Sequence, residues 1–271
     1  MIEQAAAAAR KSQVAVVVVA DPATEGADRP SLELPADQDR LISAVAAANP
    51  RTIVVLNTAS AVTMPWLNSV AAVFESWYPG QTAGTAIGDV LFGNANPSGK
   101  LPVTFPRSDA QGPDRSPAEY PGIDGNVYYD EGLLVGYRWY NATGQKPLFP
   151  FGFGLSYTSF RFSHLQVRSP GGGVQATVTV TNTGARAGAE VAELYLTFPK
   201  SANEPPQQLK AFGRAQLQPG QSQRVSLTVN RDELATYTNV DTGWTVEPGT
   251  HRVAVGDSSA SPQLSTTVRV R

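Results

Sequence analysis

The chain has no cysteine and only two histidines, His164 and His251, among its 271 residues. Disulfides, thiolate metal sites and a cysteine nucleophile are thereby excluded, and a histidine-rich metal site or a Ser-His-Asp triad has almost nothing to draw on. No run of about 20 apolar residues occurs, so no membrane-spanning helix is expected. Lysine and arginine do not cluster and the formal net charge is −2. Nucleic acid and anionic membrane surfaces, which call for a basic stripe, are therefore not expected partners. Met1 to Gln13 also lacks the apolar centre of a signal peptide and reads as an Ala-rich helix with Arg10 and Lys11 in its last turn. The compartment stays open between secreted or periplasmic and cytoplasmic.

What the chain does have is ample core material, 41% hydrophobic residues against 16% charged, enough for one or two folded domains. The stretch Asp21-Pro22-Ala23-Thr24-Glu25-Gly26-Ala27-Asp28-Arg29-Pro30 places four ionisable groups in a short loop. It follows Val14 to Ala20, a continuous β-branched run of the kind that forms a parallel strand buried on both faces. Ligands of open α/β sheets bind where such strands end, so the loop reads as a site.

Strand and helix patterns then alternate. A helix is expected from about Asp37 to Ala48, ended by Asn49-Pro50, a second buried strand at Thr52 to Asn57, and a short helix at Met64 to Val70. A third strand follows at Ala71 to Trp77, and a helix at Gln81 to Phe92 is stopped by Gly93. This repetition predicts a mostly parallel sheet covered by helices. Three strands are few for such a sheet, and the first would present an open edge. The expectation is that another chain or domain supplies the rest, or that the sequence is a fragment of a longer one.

Between Asn94 and Thr158 the regular pattern gives way to Pro, Gly and aromatic residues, including Phe151-Gly152-Phe153-Gly154. So many aromatics favour docking on another surface over disorder. The Gly spacing there lacks the strand-to-helix context of a dinucleotide fingerprint, and reads as the packing of an aromatic linker. From Phe160 the character changes to short alternating strands divided by turns such as Ser169-Pro170-Gly171, Gln218-Pro219-Gly220 and Glu247-Pro248-Gly249. About seven strands at this spacing predict an immunoglobulin-like β-sandwich. The expected fold class is thus α/β plus all-β, with a partial α/β domain over 1–108, a connecting segment over 109–158 and a sandwich over 159–271.

Four stretches in order carry a resemblance: Glu25-Gly26-Ala27-Asp28-Arg29 with Leu32-Glu33-Leu34-Pro35; Asn96-Pro97-Ser98-Gly99-Lys100-Leu101-Pro102; Tyr129-Asp130-Glu131-Gly132 running to Tyr140; and Phe151-Gly152-Phe153-Gly154-Leu155-Ser156-Tyr157-Thr158. They resemble the C-terminal half of family 3 glycoside hydrolases, the β-glucosidase and β-xylosidase type. The resemblance implies a three-part enzyme: a barrel with the nucleophilic Asp, an α/β sandwich domain with the acid/base Glu, and a fibronectin type III-like domain. Glu25 then stands at the acid/base position, with Asp28 and Arg29 in the motif that follows as substrate-binding or loop-supporting residues. The barrel and its nucleophile have no counterpart in this chain, and no metal or organic cofactor is implied. Ala27 stands where some relatives carry an aromatic beside the acid/base.

The implied reaction is retaining hydrolysis of O-glycosidic bonds at non-reducing β-glucosyl or related ends, with a β-linked oligosaccharide or glycoside as substrate and a barrel domain, in cis or in trans, as partner. Retaining chemistry needs two carboxyl groups about 5–5.5 Å apart, and one domain supplies only one of them. A carboxyl pressed over a pocket in a neighbouring domain is kept protonated by burial. A direct Arg29–Glu25 pair would oppose that, so Arg29 is expected to pair with Asp28 or a backbone carbonyl. Read without the family, Glu25 is a solvated or capping loop carboxylate, Asp28 and Arg29 are a structural pair, and Tyr128, Tyr129, Tyr137, Trp139 and Tyr140 are packing residues rather than a sugar-stacking surface. The alternative function is a non-catalytic module that binds carbohydrate or protein.

Overall fold

β-Branched and alanine-rich segments near the start of the chain form a small parallel sheet flanked by helices. The structure, a computed structural model, describes residues 1–27, 29–114 and 116–271. It divides into two compact units, one of Met1–Asn94 with Phe105–Gln111 and the other of Ala95–Thr104 with Gly112–Arg271.

In the first unit, α1 (Ile2–Arg10), β1 (Ala15–Ala20), α2 (Gln38–Ala48), β2 (Thr52–Asn57), β3 (Ala72–Glu75) and α3 (Ala83–Leu91) follow in order. The strands pair in parallel as β1-β2-β3. Ile42, Val45 and Ala46 of α2 are buried, as are Val17, Val19, Val54 and Leu56 of the sheet. The buried side chain of Asn49 ties the two helices together, its amide donating to the carbonyls of Ala9 and Ser12 at 3.0 and 2.9 Å. Those carbonyls lie at and just beyond the C-terminal end of α1, where the Ala9 carbonyl also accepts the Ser12 N–H. Gln38 exchanges two hydrogen bonds with the backbone of Ala20, much as a neighbouring strand would.

Two sequence expectations are corrected. Val16 and Val18 are 49% and 62% exposed, although their β-branched run predicts burial on both faces. β1 is an edge strand here, and only its alternate residues Val17 and Val19 are covered. The helix expected at Met64 to Val70 is a single 3-10 turn at Leu67–Ser69.

The second unit opens with α4 (Tyr137–Thr143), bounded by Gly136 and Gly144, both with positive φ. Then come β4 (Phe160–Arg168), β5 (Val174–Asn182), β6 (Gly188–Thr197), β7 (Gln208–Leu217), β8 (Ser222–Val229), β9 (Ala235–Tyr237), β10 (Trp244–Val246), β11 (Gly249–Gly256) and β12 (Pro262–Val270). Sheets ordered β12-β11-β6-β7 and β4-β5-β8 make the sandwich, with β9 and β10 as a separate hairpin. Alternation is regular in β5, where Val174, Ala176, Val178 and Val180 point into the shared core.

In β6 it fails, because both faces are covered. Ala192, Leu194 and Leu196 enter the sandwich core, while Glu193 and Tyr195, on alternate residues, are buried as well. The aromatic segment does the covering. Tyr137 lies 5.9 Å from the Tyr195 ring and 5.1 Å from Phe151, and its hydroxyl accepts the Leu209 N–H at 2.8 Å. Phe151 O accepts the Ser259 N–H at 2.9 Å, and Lys100 pairs with Glu190 at 2.8 Å with both side chains mostly buried. Leu101 donates to Phe153 O and accepts from the Gly152 N–H. Phe151 to Gly154 is therefore packing, as its lack of strand-to-helix context suggests.

A Cβ at Gly154 would collide with the Gly99 carbonyl oxygen, a backbone atom. We expect Gly154→Ala to destabilise the unit by about 1–3 kcal/mol, read as a lower urea midpoint at unchanged slope.

Candidate active site

Parallel strands aim their C-terminal ends in one direction, and the first residues beyond β1, β2 and β3 meet there. Asp21 follows β1 and is 6% exposed. One of its carboxylate oxygens, Oδ1, accepts the Ala59 N–H at 3.0 Å and the Tyr78 hydroxyl at 2.6 Å. The other, Oδ2, faces the Arg29 guanidinium at 3.2 Å. The Tyr78 hydroxyl also reaches the Asp21 carbonyl, and its hydrogen bond to the carboxylate raises its pKa above the usual phenol value.

Arg29 spreads its guanidinium over Ser60 Oγ at 2.7 Å, Ala61 O at 3.2 Å and Glu33 O at 3.3 Å. Glu75, the last residue of β3, accepts the Trp77 N–H at 2.8 Å and the Thr58 hydroxyl at 3.2 Å. Burial pushes its carboxyl up to about 7, with the negative charge of Asp21 adding to the effect.

Glu25 rides above this base. An isolated bridge between Thr24 and Ala27 folds residues 24–27 into a tight turn, and Glu25 and Gly26 at its tip are exposed. No Cβ clash confines Gly26. Beyond Arg29 the chain is strapped down by Asp109, which accepts the Ser31 hydroxyl at 2.6 Å and the Leu32 N–H at 2.8 Å. A carboxyl held clear of the sheet on a turn with a fixed base is able to reach a group outside its own domain.

Of the residues singled out from sequence, Glu25 and Arg29 lie on one loop at this end of the sheet. The expected Asp28 lies outside the described residues. Arg29 reaches two backbone carbonyls, as expected of it, and its ion pair is with Asp21. Glu25 is not among the partners of Arg29 recorded within the described residues. Sequence reasoning gave no roles to Asp21, Glu75 and Tyr78. The signal available was an acidic residue directly after a β-branched strand, and for Tyr78 no spacing rule exists. Tyr137, Trp139 and Tyr140 pack, whereas Tyr128 and Tyr129 are exposed. Asn141 begins the sequence pattern of a glycosylation acceptor, yet its amide nitrogen is buried.

Residues 1–157 match the glycosyl hydrolase family 3 C-terminal domain, and residues 190–259 match the fibronectin type III-like domain. The chain belongs to glycosyl hydrolase family 3. A β-glucosidase of Rhizobium radiobacter is 40% identical over 99% of this chain, and thermostable β-glucosidase B of Acetivibrio thermocellus 41% identical over all of it. Among solved structures, the β-glucosidase DesR of Streptomyces venezuelae, in complex with D-glucose, superposes with a TM-score of 0.95 at 45% identity over the whole chain. A family 3 β-glucosidase of Bifidobacterium adolescentis superposes at 0.94, with 35% identity over 99% of the chain. The chain spans 34% and 37% of the two curated relatives and 35% and 40% of the two solved chains. The family is that of glycoside hydrolases, and its fibronectin type III-like domain corresponds to the β-sandwich. No helix among the described residues is long and apolar enough to cross a membrane.

Proposed function

We propose that this chain supplies the acid/base half of a β-glucosidase-type active site, with Glu25 as the proton donor and a barrel domain, in cis or in trans, as the source of the nucleophile. The reaction is retaining hydrolysis of the O-glycosidic bond at a non-reducing β-glucosyl or related end. The observation that carries this reading is the placement of Glu25, exposed on a turn above an anchored base at the C-terminal end of a parallel sheet, in a chain of family 3.

Attack on the anomeric carbon by the partner's carboxylate expels the leaving oxygen, which needs a proton as the bond lengthens. The Glu25 carboxyl donates it, and the resulting carboxylate then removes a proton from the water that releases the sugar. Asp28 and Arg29 support the loop, Arg29 through its bonds to the segment after β2. The relatives' names, β-glucosidases throughout those cited, support glucose as the sugar.

Hydrolysis of an aryl β-glucoside by the purified chain, alone and mixed with a separately produced family 3 barrel domain, tests the division of the site. We expect turnover in the mixture and none from the chain alone. Turnover by the chain alone would put a nucleophile within these residues. Silence in both, with a folded chain, would favour a non-catalytic binding module.

A further inference from the structure

The loop that bears Glu25 leaves the sheet at Asp21 and comes back beside that residue at Arg29, so that the two side chains face each other. We infer that Asp21 is a positioning residue for Glu25: by clasping Arg29 while held by Ala59 and Tyr78, it ties off the loop that presents the acid/base carboxyl. The inference rests on the role proposed for Glu25. It concerns a residue that touches neither Glu25 nor substrate.

The side chain of Asp21 is 2% exposed, an expensive place for a carboxylate unless it is paired and hydrogen-bonded. The strand end does not require it, since an apolar residue would continue the run that precedes it. What the carboxylate does accomplish is a junction of three chain segments. It accepts the Ala59 N–H from the segment after β2 and the Tyr78 hydroxyl from the segment after β3, and its other oxygen, which has no hydrogen bond among the described residues, faces the Arg29 guanidinium at the far end of its own loop in an ion pair. Arg29 extends the junction to Ser60, Ala61 and Glu33.

Residues 22 to 27 of the loop would otherwise sample many arrangements, and each one not reaching the leaving oxygen is lost to catalysis. Glu75 beside them shares a hydrogen-bonded Thr58 with the segment after β2. Its burial favours the neutral form.

Asp21→Asn is the variant of choice. It keeps the volume and the oxygen that accepts from Ala59 and Tyr78, and removes the charge opposite Arg29. In the chain alone, amide hydrogen exchange at residues 23–27 should accelerate about tenfold or more while α2 and β2 keep their protection. Joined to the barrel domain, the variant should lose about tenfold in kcat/KM on alkyl glucosides, whose leaving groups need a proton, with KM little changed. Activated aryl glucosides should stay within about twofold.

Unchanged loop exchange would overturn the inference. So would equal losses on both substrate classes, which would make Asp21 a purely structural residue. If Glu25→Gln itself shows no leaving-group dependence, the role of Glu25 fails, and the exchange arm still decides whether Asp21 holds the loop. Should Asp21→Asn not fold, Tyr78→Phe, which removes one hydroxyl at a half-exposed side chain, is judged by the same two measurements.

Discussion

Glu25→Gln should lower kcat/KM for alkyl β-glucosides by about 10²–10⁴-fold in the chain joined to a barrel domain, while activated aryl glucosides lose far less. The amide matches the carboxyl in size and keeps an acceptor oxygen, so the exposed turn at residues 24–27 has no reason to refold. What it lacks is a proton to give. A poor leaving group departs as an alkoxide unless protonated in the transition state, whereas an activated phenolate leaves unaided. The second half of the reaction also needs Glu25, as a base toward water. For activated substrates kcat should therefore fall through accumulation of the glycosyl intermediate, and a small anionic nucleophile that carries no proton should restore it. Parallel losses in kcat/KM across leaving groups, or no recovery with the anion, would remove Glu25 from the acid/base role.

The second large effect concerns pH and lies in the sandwich unit. Glu193 is 4% exposed and its carboxyl is pushed up to about 7 by burial. Tyr195 donates to it at 2.6 Å, and Lys100, Asp257 and Glu190 are the charged groups that act on it, Lys100 alone favouring ionisation. Burial, with Glu193 beside it, moves the Tyr195 phenol upward as well. A folded carboxyl that binds its proton more tightly than the unfolded one favours folding at low pH. Its contribution is complete below about 4.5 and declines as pH rises through about 7, because over that interval the native chain holds the extra proton.

At about 1.4 kcal/mol per pH unit, the sandwich should lose roughly 3 kcal/mol between pH 4.5 and 7 on this account. Glu193→Gln, which still accepts from Tyr195, should remove that slope. Urea unfolding of both forms across this range checks it, with Glu75→Gln as a companion because Glu75 acts with the same sign in the other unit. A slope that survives in the Glu193 variant would show that the carboxyl titrates as in the unfolded chain.

Much of this architecture is legible in the residues, and the exceptions share a cause. β5 and β2 are readable because period and boundary residues coincide with the structure from Val174 to Asn182 and from Thr52 to Asn57. The motifs around Glu25 and Phe151 carry the family with no help from geometry. What sequence could not yield is anything set by a neighbour distant in the chain. Val16 and Val18 read as buried because hydrophobicity describes a side chain, not whether a layer packs over the face of the sheet from which it points. Buried Glu193 looks like a surface residue until the aromatic segment covers it. The Tyr78–Asp21 bond joins residues 57 apart, a separation that no local pattern encodes. α4 is hidden among Pro and Gly because its limits are drawn by Gly136 and Gly144, both at positive φ, where composition suggests only a loop.

The division of the chain into units has a consequence for synthesis. Residues Ala95–Thr104 belong with the sandwich although Phe105–Gln111 belong with the parallel sheet. Emerging from the ribosome, Lys100 must therefore wait for Glu190, its ion-pair partner, while the sheet that precedes it already has all three of its strands. At roughly 5–20 residues per second, that wait lasts several seconds, during which an aromatic ribbon has no surface to lie on. A nascent chain halted before β6 should hence present Phe149, Phe151 and Phe153 to chaperones, and one allowed to pass β11 should not.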